Sequence, residues 1–289
     1  MNARTRLSTL APAPERQRPL ALVTAPGGVL RGESGLVGRE PELRALREFL
    51  DEGAARGAAR VLCGLTGTGK SALLEATVQA ALASGMRVLR CAGSRDGDPP
   101  GLSGLRRLVW PVLAGTHRPS AGGRFDAVRR VLADGGPVPG GQSWLSFAVL
   151  GLLESAGGAG QPLLIAVDDW DALDAPSRDA LTFVARRAEG RPMAVLLAAR
   201  PHRTPPSPLA GLPELPLGPL APIRSAELLA TRRPGLDAQA VRELLAAAAG
   251  NPLALLELPA RVRAVAGETS DMSEPTTGAS PPAPRHPRR

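Results

Sequence analysis

The segment from Gly64 to Ser71 reads Gly-Leu-Thr-Gly-Thr-Gly-Lys-Ser, and it constrains the fold of this 289-residue chain more than any other feature. It matches the pattern G-x-x-x-x-G-K-[ST] at every defined position. The short apolar run 60–63 precedes it, and a helix-forming run begins at Ala72. A strand, a glycine-rich loop and a helix in this order present backbone N–H groups to an anion, so the segment predicts a phosphate-binding loop.

Lys70, in this loop, is the one lysine among the 35 lysines and arginines of the chain. An ammonium kept at a single position of an arginine-rich chain indicates that a compact point charge is needed there. Gly64, Gly67 and Gly69 permit backbone angles that other residues avoid. We expect Lys70 to reach the β- and γ-phosphates of a nucleotide and the Ser71 hydroxyl to bind Mg²⁺. A glycine turn that ends in Lys-Ser by chance is the alternative, and the strand and helix around the loop disfavour it.

Composition argues against several other classes of protein. The net charge of +8 lies mostly near the two ends of the chain, so we expect no direct binding of DNA by the folded part. Cys63 and Cys91 lie in or beside predicted strands and are interpreted as core residues rather than a disulfide or a metal site. No apolar stretch reaches the ~18 residues of a membrane span. We expect no secretory signal, because the charged segment Glu15-Arg16-Gln17-Arg18 interrupts any apolar run near the N-terminus. We therefore expect a cytoplasmic protein without membrane contact.

Strand-like and helix-like patterns alternate through the middle of the chain. Strands are predicted at 60–64, 87–92, 162–168, 193–199 and 213–217. Helices are predicted at 41–56, 70–84, 101–114, 122–133, 143–156, 175–188, 223–232, 237–249 and 252–263. The runs 163–167 and 193–197 are continuously apolar, as in parallel strands covered on both faces. Strands separated by helices predict an α/β fold with a doubly wound, parallel, five-stranded sheet, as in P-loop NTPases.

The last three predicted helices have no strand between them and predict a small C-terminal helical lid. The expected domains are an α/β core at 34–218 and the lid at 219–263. The segments 1–33 and 264–289 are rich in Pro, Ala and Arg and are predicted to be disordered tails.

Two acids, Asp168 and Asp169, directly follow the apolar run 163–167. The carboxyl ends of parallel strands face one crevice, so these acids are expected near the phosphate-binding loop. We expect Asp168 to hold Mg²⁺, directly or through water, and Asp169 to orient or deprotonate an attacking water. The alternative is that both acids only cap the next helix or start a turn. Asp171 is interpreted as a loop residue, and Asp174 as the N-cap of that helix.

Arg200 ends the fourth predicted strand and is therefore expected at the same edge of the sheet. From there it could reach a γ-phosphate. The alternative is an ordinary solvated arginine in a chain that has many.

These elements occur in an order that resembles a known family. Leu36-Val37-Gly38-Arg39-Glu40 comes first, then the phosphate-binding loop, then Val167-Asp168-Asp169, Ala199-Arg200 and finally Gly250-Asn251-Pro252. The arrangement resembles the ATPase module of STAND/AAA-like P-loop proteins, and most of all the N-terminal module of large ATP-binding LuxR-type regulators. The resemblance covers about 34–260. No helix-turn-helix is visible, so we expect a truncated or stand-alone module.

The resemblance implies further roles. It implies that Val37, Gly38 and Arg39 line an adenine pocket, that Arg200 is a sensor arginine, and that Pro252 packs near adenine. The expected catalytic residues are Lys70, Asp169 and Arg200, and the expected metal ligands are Ser71 and Asp168. The expected nucleotide-binding residues are Val37, Gly38, Arg39, Gly64, Gly67, Thr68, Gly69, Lys70, Ser71, Ala72, Gly250 and Pro252.

The function expected from these features is Mg²⁺-dependent ATP hydrolysis that serves as a slow nucleotide switch. ATP and Mg²⁺ are the expected ligands, and a protein partner or a second copy of the chain is the expected partner. Asp169 stands where many related ATPases have Glu, and Trp170 where a smaller residue is usual. The open alternatives are a module that binds ATP or ADP without hydrolysis and regulates a partner, a P-loop kinase, and a gene remnant without function.

Overall fold

The structure is a computed structural model that describes residues 36–94, 101–115, 124–134, 138, 140–157, 160–201 and 207–258. The predicted disordered tails, 1–33 and 264–289, lie outside these residues, as does the predicted end of the last helix beyond 258.

Five strands form one sheet in which every pair is parallel. They are β1 (Ala58–Gly64), β2 (Arg87–Ala92), β3 (Leu163–Asp168), β4 (Met193–Ala199) and β5 (Glu214–Leu217), in the spatial order β2-β3-β4-β1-β5. The predicted fold class is confirmed. The prediction started β1 two residues late, because Ala58 and Ala59 have little strand propensity and are held by pairing with Ala194 and Val195 of β4.

All nine predicted helices are found within the described residues. They are α1 (Glu40–Arg56), α2 (Lys70–Ala83), α3 (Ser103–Gly115), α4 (Arg124–Asp134), α5 (Gly141–Ala156), α6 (Ala175–Ala185), α7 (Pro222–Arg232), α8 (Ala238–Ala248) and α9 (252–258). A 3₁₀ turn at Trp170–Ala172 was not predicted. Across the described ranges, no helix is both long and apolar enough to cross a membrane.

The sheet separates two apolar layers. Side chains of a strand alternate between its faces. Leu163, Ile165 and Val167 of β3 therefore join one buried cluster with residues of α3 to α6, and Leu164 and Ala166 join the other with α1 and α2. Both faces are covered, which explains why the central strands are continuously apolar.

The strand order brings the predicted site residues to one edge. β4 lies between β3 and β1, and Cys63 pairs with Ala199 in the register of the sheet. Gly64 and Arg200 therefore leave the sheet side by side, and Asp168 ends the strand on the other side of β4.

The last three helices share an apolar cluster of their own. Its buried members are Leu220, Leu228, Leu229, Leu244, Ala248 and Leu255, and Val37 packs against them from the N-terminal segment. The predicted division into a core at 34–218 and a lid at 219–263 stays a prediction. The name lid is used below for α7, α8 and α9.

Candidate functional site

The start of the phosphate-binding loop is held by its own lysine. Lys70 is 8% exposed, and its ammonium donates to the carbonyls of Gly64 at 2.8 Å and Leu65 at 3.0 Å. The Thr68 hydroxyl also donates to the Leu65 carbonyl, at 2.8 Å. These bonds turn the first two carbonyls of the loop toward Lys70 and fix the position of its charge.

The middle of the loop is held by the start of α9. The Asn251 side chain donates from Nδ2 to the Thr66 carbonyl at 3.0 Å, and the Leu253 N–H donates to the Gly67 carbonyl at 3.2 Å. Asn251 was not predicted as a site residue. Its partner lies 185 positions earlier in the chain, and nothing in the local sequence indicates that pairing.

Arg39 holds the next carbonyl. Its guanidinium is almost fully buried and donates to the carbonyls of Thr68 at 2.9 Å and Gly218 at 2.7 Å, while Glu42 pairs with it at 2.8 Å. Arg39 was expected to line an adenine pocket. The structure places its charged end between the phosphate-binding loop and the end of β5, and a contact with adenine stays a prediction.

The opposite side of the loop presents unpaired donors. In a planar trans peptide, the carbonyl of one residue and the N–H of the next point in opposite directions. Within the described residues, the N–H groups of Gly67, Gly69, Lys70 and Ser71 donate to no acceptor. The positive φ angles of Gly67 (82°) and Gly69 (99°) produce this arrangement. A row of N–H groups at the start of a helix is suited to bind a phosphate.

Gly64 is needed for space rather than for an unusual backbone angle. Its φ lies outside the positive region that Gly67 and Gly69 occupy, contrary to the prediction. A Cβ at Gly64 would lie 2.7 Å from the Thr68 hydroxyl oxygen and 2.9 Å from the Leu217 Cβ. The close packing of the loop against β5 therefore excludes a side chain.

The two acids after β3 are held in a sharp turn. The N–H of Asp169 donates to Oδ1 of Asp168 at 2.9 Å, and Asp169 has φ 42° and ψ 49°. This left-handed conformation costs a residue other than glycine about 1 kcal/mol, although Asp tolerates it better than most. Trp170 is 1% exposed and anchors the turn in the core beneath.

The charge of Lys70 is close to those of the acids. Burial lowers the pKa of Lys70, while the negative charges of Asp169, Asp168 and Asp171 oppose that shift and Arg200 adds to it. The structure therefore brings together the three residues that were predicted to be catalytic, Lys70, Asp169 and Arg200. It adds Asp171 to them.

Asp171 was interpreted as a loop residue, and that interpretation was incomplete. Asp171 lies in the 3₁₀ turn, and its Oδ2 accepts the backbone N–H of Arg200 at 2.7 Å. The same oxygen lies 3.7 Å from Nε of Arg200. Asp171 thus ties the end of β4 to the turn after β3. The only sequence signal was an unusual density of acids after the strand.

Asp174 is the N-cap of α6, as predicted, and it also holds the start of α3. Its carboxylate accepts the Ser177 N–H at 2.8 Å and the N–H groups of Leu102 and Gly104, both at 3.1 Å. Burial alone would raise the pKa of Asp174, but its hydrogen bonds from the Gly104 and Ser177 N–H groups and from the Ser177 and Ser103 hydroxyls bring it below its usual value.

The remaining predicted residues lie at two places. Ser71 and Ala72 are exposed at the start of α2. Gly38 and Gly250 lie at the boundary with the lid. A Cβ at Gly38 would be 2.7 Å from Cβ of Arg224, and the Gly250 carbonyl accepts the N–H of Leu220 at 2.8 Å. Pro252, which was also predicted to bind the nucleotide, is the first residue of α9.

Comparison with known families identifies this arrangement. The AAA ATPase domain matches residues 35–197, more than half of the chain. The chain belongs to the AAA ATPase domain family. Membership in this family implies nucleotide binding, which agrees with the phosphate-binding loop of the structure. No curated protein matches the chain in sequence.

Several solved structures are similar to this AAA ATPase domain. A Walker-type ATPase of Pyrococcus abyssi is 16% identical over 82% of this chain and 75% of its own, with a TM-score of 0.49. The ORC2 protein of Aeropyrum pernix is 17% identical over 81% of this chain and 66% of its own, with a TM-score of 0.48. A STAND protein with a tetratricopeptide repeat sensor, from Pyrococcus horikoshii, is 17% identical, with a TM-score of 0.45. The matched region spans 29% of that STAND protein.

The residues at the edge of the sheet fit a nucleotide with its metal ion. The unpaired N–H groups and the Lys70 ammonium suit phosphate oxygens. Among the residues that the structure describes, no cluster of three or more His, Cys, Asp or Glu could form a metal site made of protein ligands alone. Mg²⁺ in phosphate-transfer sites uses few protein ligands together with phosphate oxygens and water, and Ser71 and Asp168 fit that mode.

Proposed function

We propose that this AAA ATPase domain binds ATP with Mg²⁺ and hydrolyses it slowly, as a nucleotide-dependent switch of the STAND type. The observation that supports the proposal best is the phosphate-binding loop. The carbonyls of Thr66, Gly67 and Thr68 are held by residues outside the loop, and four of its N–H groups lack any acceptor within the described residues. The negative charges of Asp168, Asp169 and Asp171, at the end of β3 and in the turn after it, act on Lys70.

Each residue has a role that its position supports. The N–H groups of Gly67 and Gly69 and the ammonium of Lys70 bind phosphate oxygens and stabilise the charge that develops on them. Ser71 and Asp168 hold Mg²⁺, which when bound neutralises phosphate charge.

The acid and the arginine at the neighbouring strand ends act on the attacking water and the γ-phosphate. Asp169 orients that water and accepts its proton. Arg200, held by Asp171, contacts the γ-phosphate and distinguishes ATP from ADP.

The base is bound between the core and the lid. Val37, Gly38, Gly250 and Pro252 lie at this boundary, and Arg39 reaches from there to the Thr68 carbonyl. Adenine in this position would make closure of the lid depend on the nucleotide, which is the property a switch needs. A protein partner or a second copy of the chain would recognise whether the lid is closed.

A module that binds nucleotide without hydrolysis is the second candidate, and Asp169 favours it. Its side chain is one methylene shorter than that of the Glu that many related ATPases have at this position. This module would differ from the switch in turnover and not in affinity.

The test measures ATP turnover and nucleotide binding by the purified protein with Mg²⁺, beside Lys70→Ala and Asp169→Asn. We expect Lys70→Ala to abolish tight ATP binding. We expect Asp169→Asn to keep binding and to reduce turnover by roughly 100-fold, because the proton acceptor is lost. Near-normal affinity in Lys70→Ala would refute the proposal. Binding without turnover in the unmodified protein would establish the second candidate.

A further inference from the structure

The side chain of Asn251 uses both ends of its carboxamide. Its Oδ1 accepts the N–H groups of Leu253 at 3.0 Å and Ala254 at 3.3 Å, which caps the start of α9. Its Nδ2 donates to the carbonyl of Thr66 at 3.0 Å. A carboxylate or a hydroxyl could cap the helix, but at this distance only an amide can both cap it and donate to the loop.

The contact between α9 and the loop is tight at Gly67. The N–H of Leu253 donates to the Gly67 carbonyl at 3.2 Å as well as to Asn251. A Cβ at Gly67 would lie 2.5 Å from Oδ1 of Asn251 and 2.9 Å from Cβ of Leu253. The start of α9 therefore packs directly on the loop backbone.

This contact determines the direction of a phosphate-binding N–H group. Because the peptide between Thr66 and Gly67 is planar and trans, a Thr66 carbonyl held toward Asn251 points the Gly67 N–H away from the lid. That N–H is among the donors without an acceptor in the described part of the loop. Arg39 acts in the same way on the next free donor, because it holds the Thr68 carbonyl and so orients the Gly69 N–H.

We infer that Asn251 is a positioning residue that couples the lid to the phosphate-binding loop. The inference rests on the proposed function, because it requires that the loop bind a nucleotide. Asn251 presets the Gly67 N–H for a phosphate, so the loop has its full affinity only while α9 is in contact with it. Coupling between binding sites is reciprocal, so a bound phosphate also stabilises the contact of α9 with the loop.

The experiment separates the hydrogen bond between Asn251 and the Thr66 carbonyl from the capping of α9 by Asn251. In Asn251→Ser, the hydroxyl still caps α9 but is too short to reach the Thr66 carbonyl. The matched control is Asp237→Ser, which makes the same kind of change at the N-cap of α8, where Asp237 accepts the N–H of Ala240 at 2.8 Å. Affinity for Mg-ADP is measured by calorimetry, and the melting temperature is measured without nucleotide.

We expect Asn251→Ser to weaken Mg-ADP binding by about threefold to tenfold, which corresponds to one lost hydrogen bond. Asp237→Ser should bind Mg-ADP like the unmodified protein, and both variants should melt within a few degrees of each other. If Asn251→Ser does not fold, Asn251→Gly replaces it, since glycine is also tolerated at an N-cap.

The outcomes distinguish the inference from the function. If the unmodified protein binds Mg-ADP and the Asn251 variant binds it equally well, the inference is wrong and the proposed function stands. An equal loss in both variants would also overturn it, because the effect would then come from the stability of the lid. If the unmodified protein binds no nucleotide, the proposed function fails first.

Discussion

At the scale of single residues, Asp171 determines where the end of β4 lies. Its carboxylate accepts the Arg200 N–H at 2.7 Å and is 3.7 Å from the side chain of Arg200. A sensor that reads a γ-phosphate must be placed to within a fraction of an ångström, because misplacement costs rate more than affinity.

We predict that Asp171→Ala reduces ATP turnover by roughly tenfold, because Arg200 is then less well positioned. The affinity for ADP should stay within about twofold, since ADP lacks the phosphate that Arg200 reads. Steady-state turnover and calorimetry with Mg-ADP measure the two effects. Asp179→Ala, which removes an exposed acid from α6, is the matched control. Equal losses of turnover in both variants would show that Asp171 acts only through charge.

The residues of the candidate site differ in how well a sequence pattern predicts them. Lys70, Asp168 and Asp169 are predicted from the sequence because each lies at or after the end of a strand in a recognisable local pattern. The contacts of Asn251 with Thr66 and of Arg39 with Gly218 join positions 185 and 179 apart. No local pattern specifies such pairs, because they form only when segments that are far apart in the chain pack together.

At the scale of elements, one carboxylate joins α3 to α6. Asp174 caps α6 through the Ser177 N–H and accepts the N–H groups of Leu102 and Gly104 at the start of α3. The two helices pack in one apolar cluster, which also contains Trp170 of the turn that carries Asp169 and Asp171. The sequence predicted the first cap, since the pattern Asp-Ala-Pro-Ser is local. It could not predict the second, which lies about 70 positions away.

We predict that Asp174→Ala lowers the free energy of unfolding by about 2 to 4 kcal/mol, because two helix starts lose their acceptor. Asp237→Ala, which uncaps α8 alone, should cost about 1 kcal/mol. Urea unfolding monitored by circular dichroism measures both.

The pKa of Asp174 is lowered in the folded state. The stabilisation that Asp174 provides is therefore fully present above its unfolded pKa of about 3.9 and disappears as the pH falls through the lower folded value. The difference between the unmodified protein and Asp174→Ala should therefore be constant from pH 5 upward, to within about 0.5 kcal/mol, and shrink below about pH 4. A difference that does not change down to pH 2 would contradict this account.

The bounds of the elements were predictable to within a few residues for a physical reason. The central strands are buried on both faces, so their apolar runs begin and end with the strands themselves. α6 was predicted to reach 188 but ends at Ala185, because the amphipathic pattern continues into the following turn, where Ala188 is also buried. Burial rather than helix formation produced the pattern at that position.

At the scale of the whole molecule, contacts in the described part of the chain join the lid to the phosphate-binding loop and to the N-terminal segment of the core. Asn251 and Leu253 contact the phosphate-binding loop, Val37 packs on the apolar cluster of the lid, and Arg224 packs against Gly38. Among the residues that the structure describes, the core has two large apolar clusters and a continuous sheet, whereas the lid has one cluster with six buried members. Elements with few buried contacts open more often than the rest of a protein, so the lid is the part that a nucleotide can stabilise most.

We predict that Mg-ADP slows hydrogen exchange in α8 and α9 as well as in the phosphate-binding loop, because phosphate binding and lid contact stabilise each other. Deuterium uptake measured by mass spectrometry on peptic peptides, with and without saturating Mg-ADP, gives the comparison. α5, which packs in the core on the opposite side of the sheet from α1 and α2, is the internal control and should not change. In Lys70→Ala the protection of α8 and α9 should disappear at the same ADP concentration, since the nucleotide no longer binds.

Protection confined to the loop would show that the nucleotide is held by the core alone. The lid would then not respond to nucleotide binding, and the switch would have to lie elsewhere in the chain.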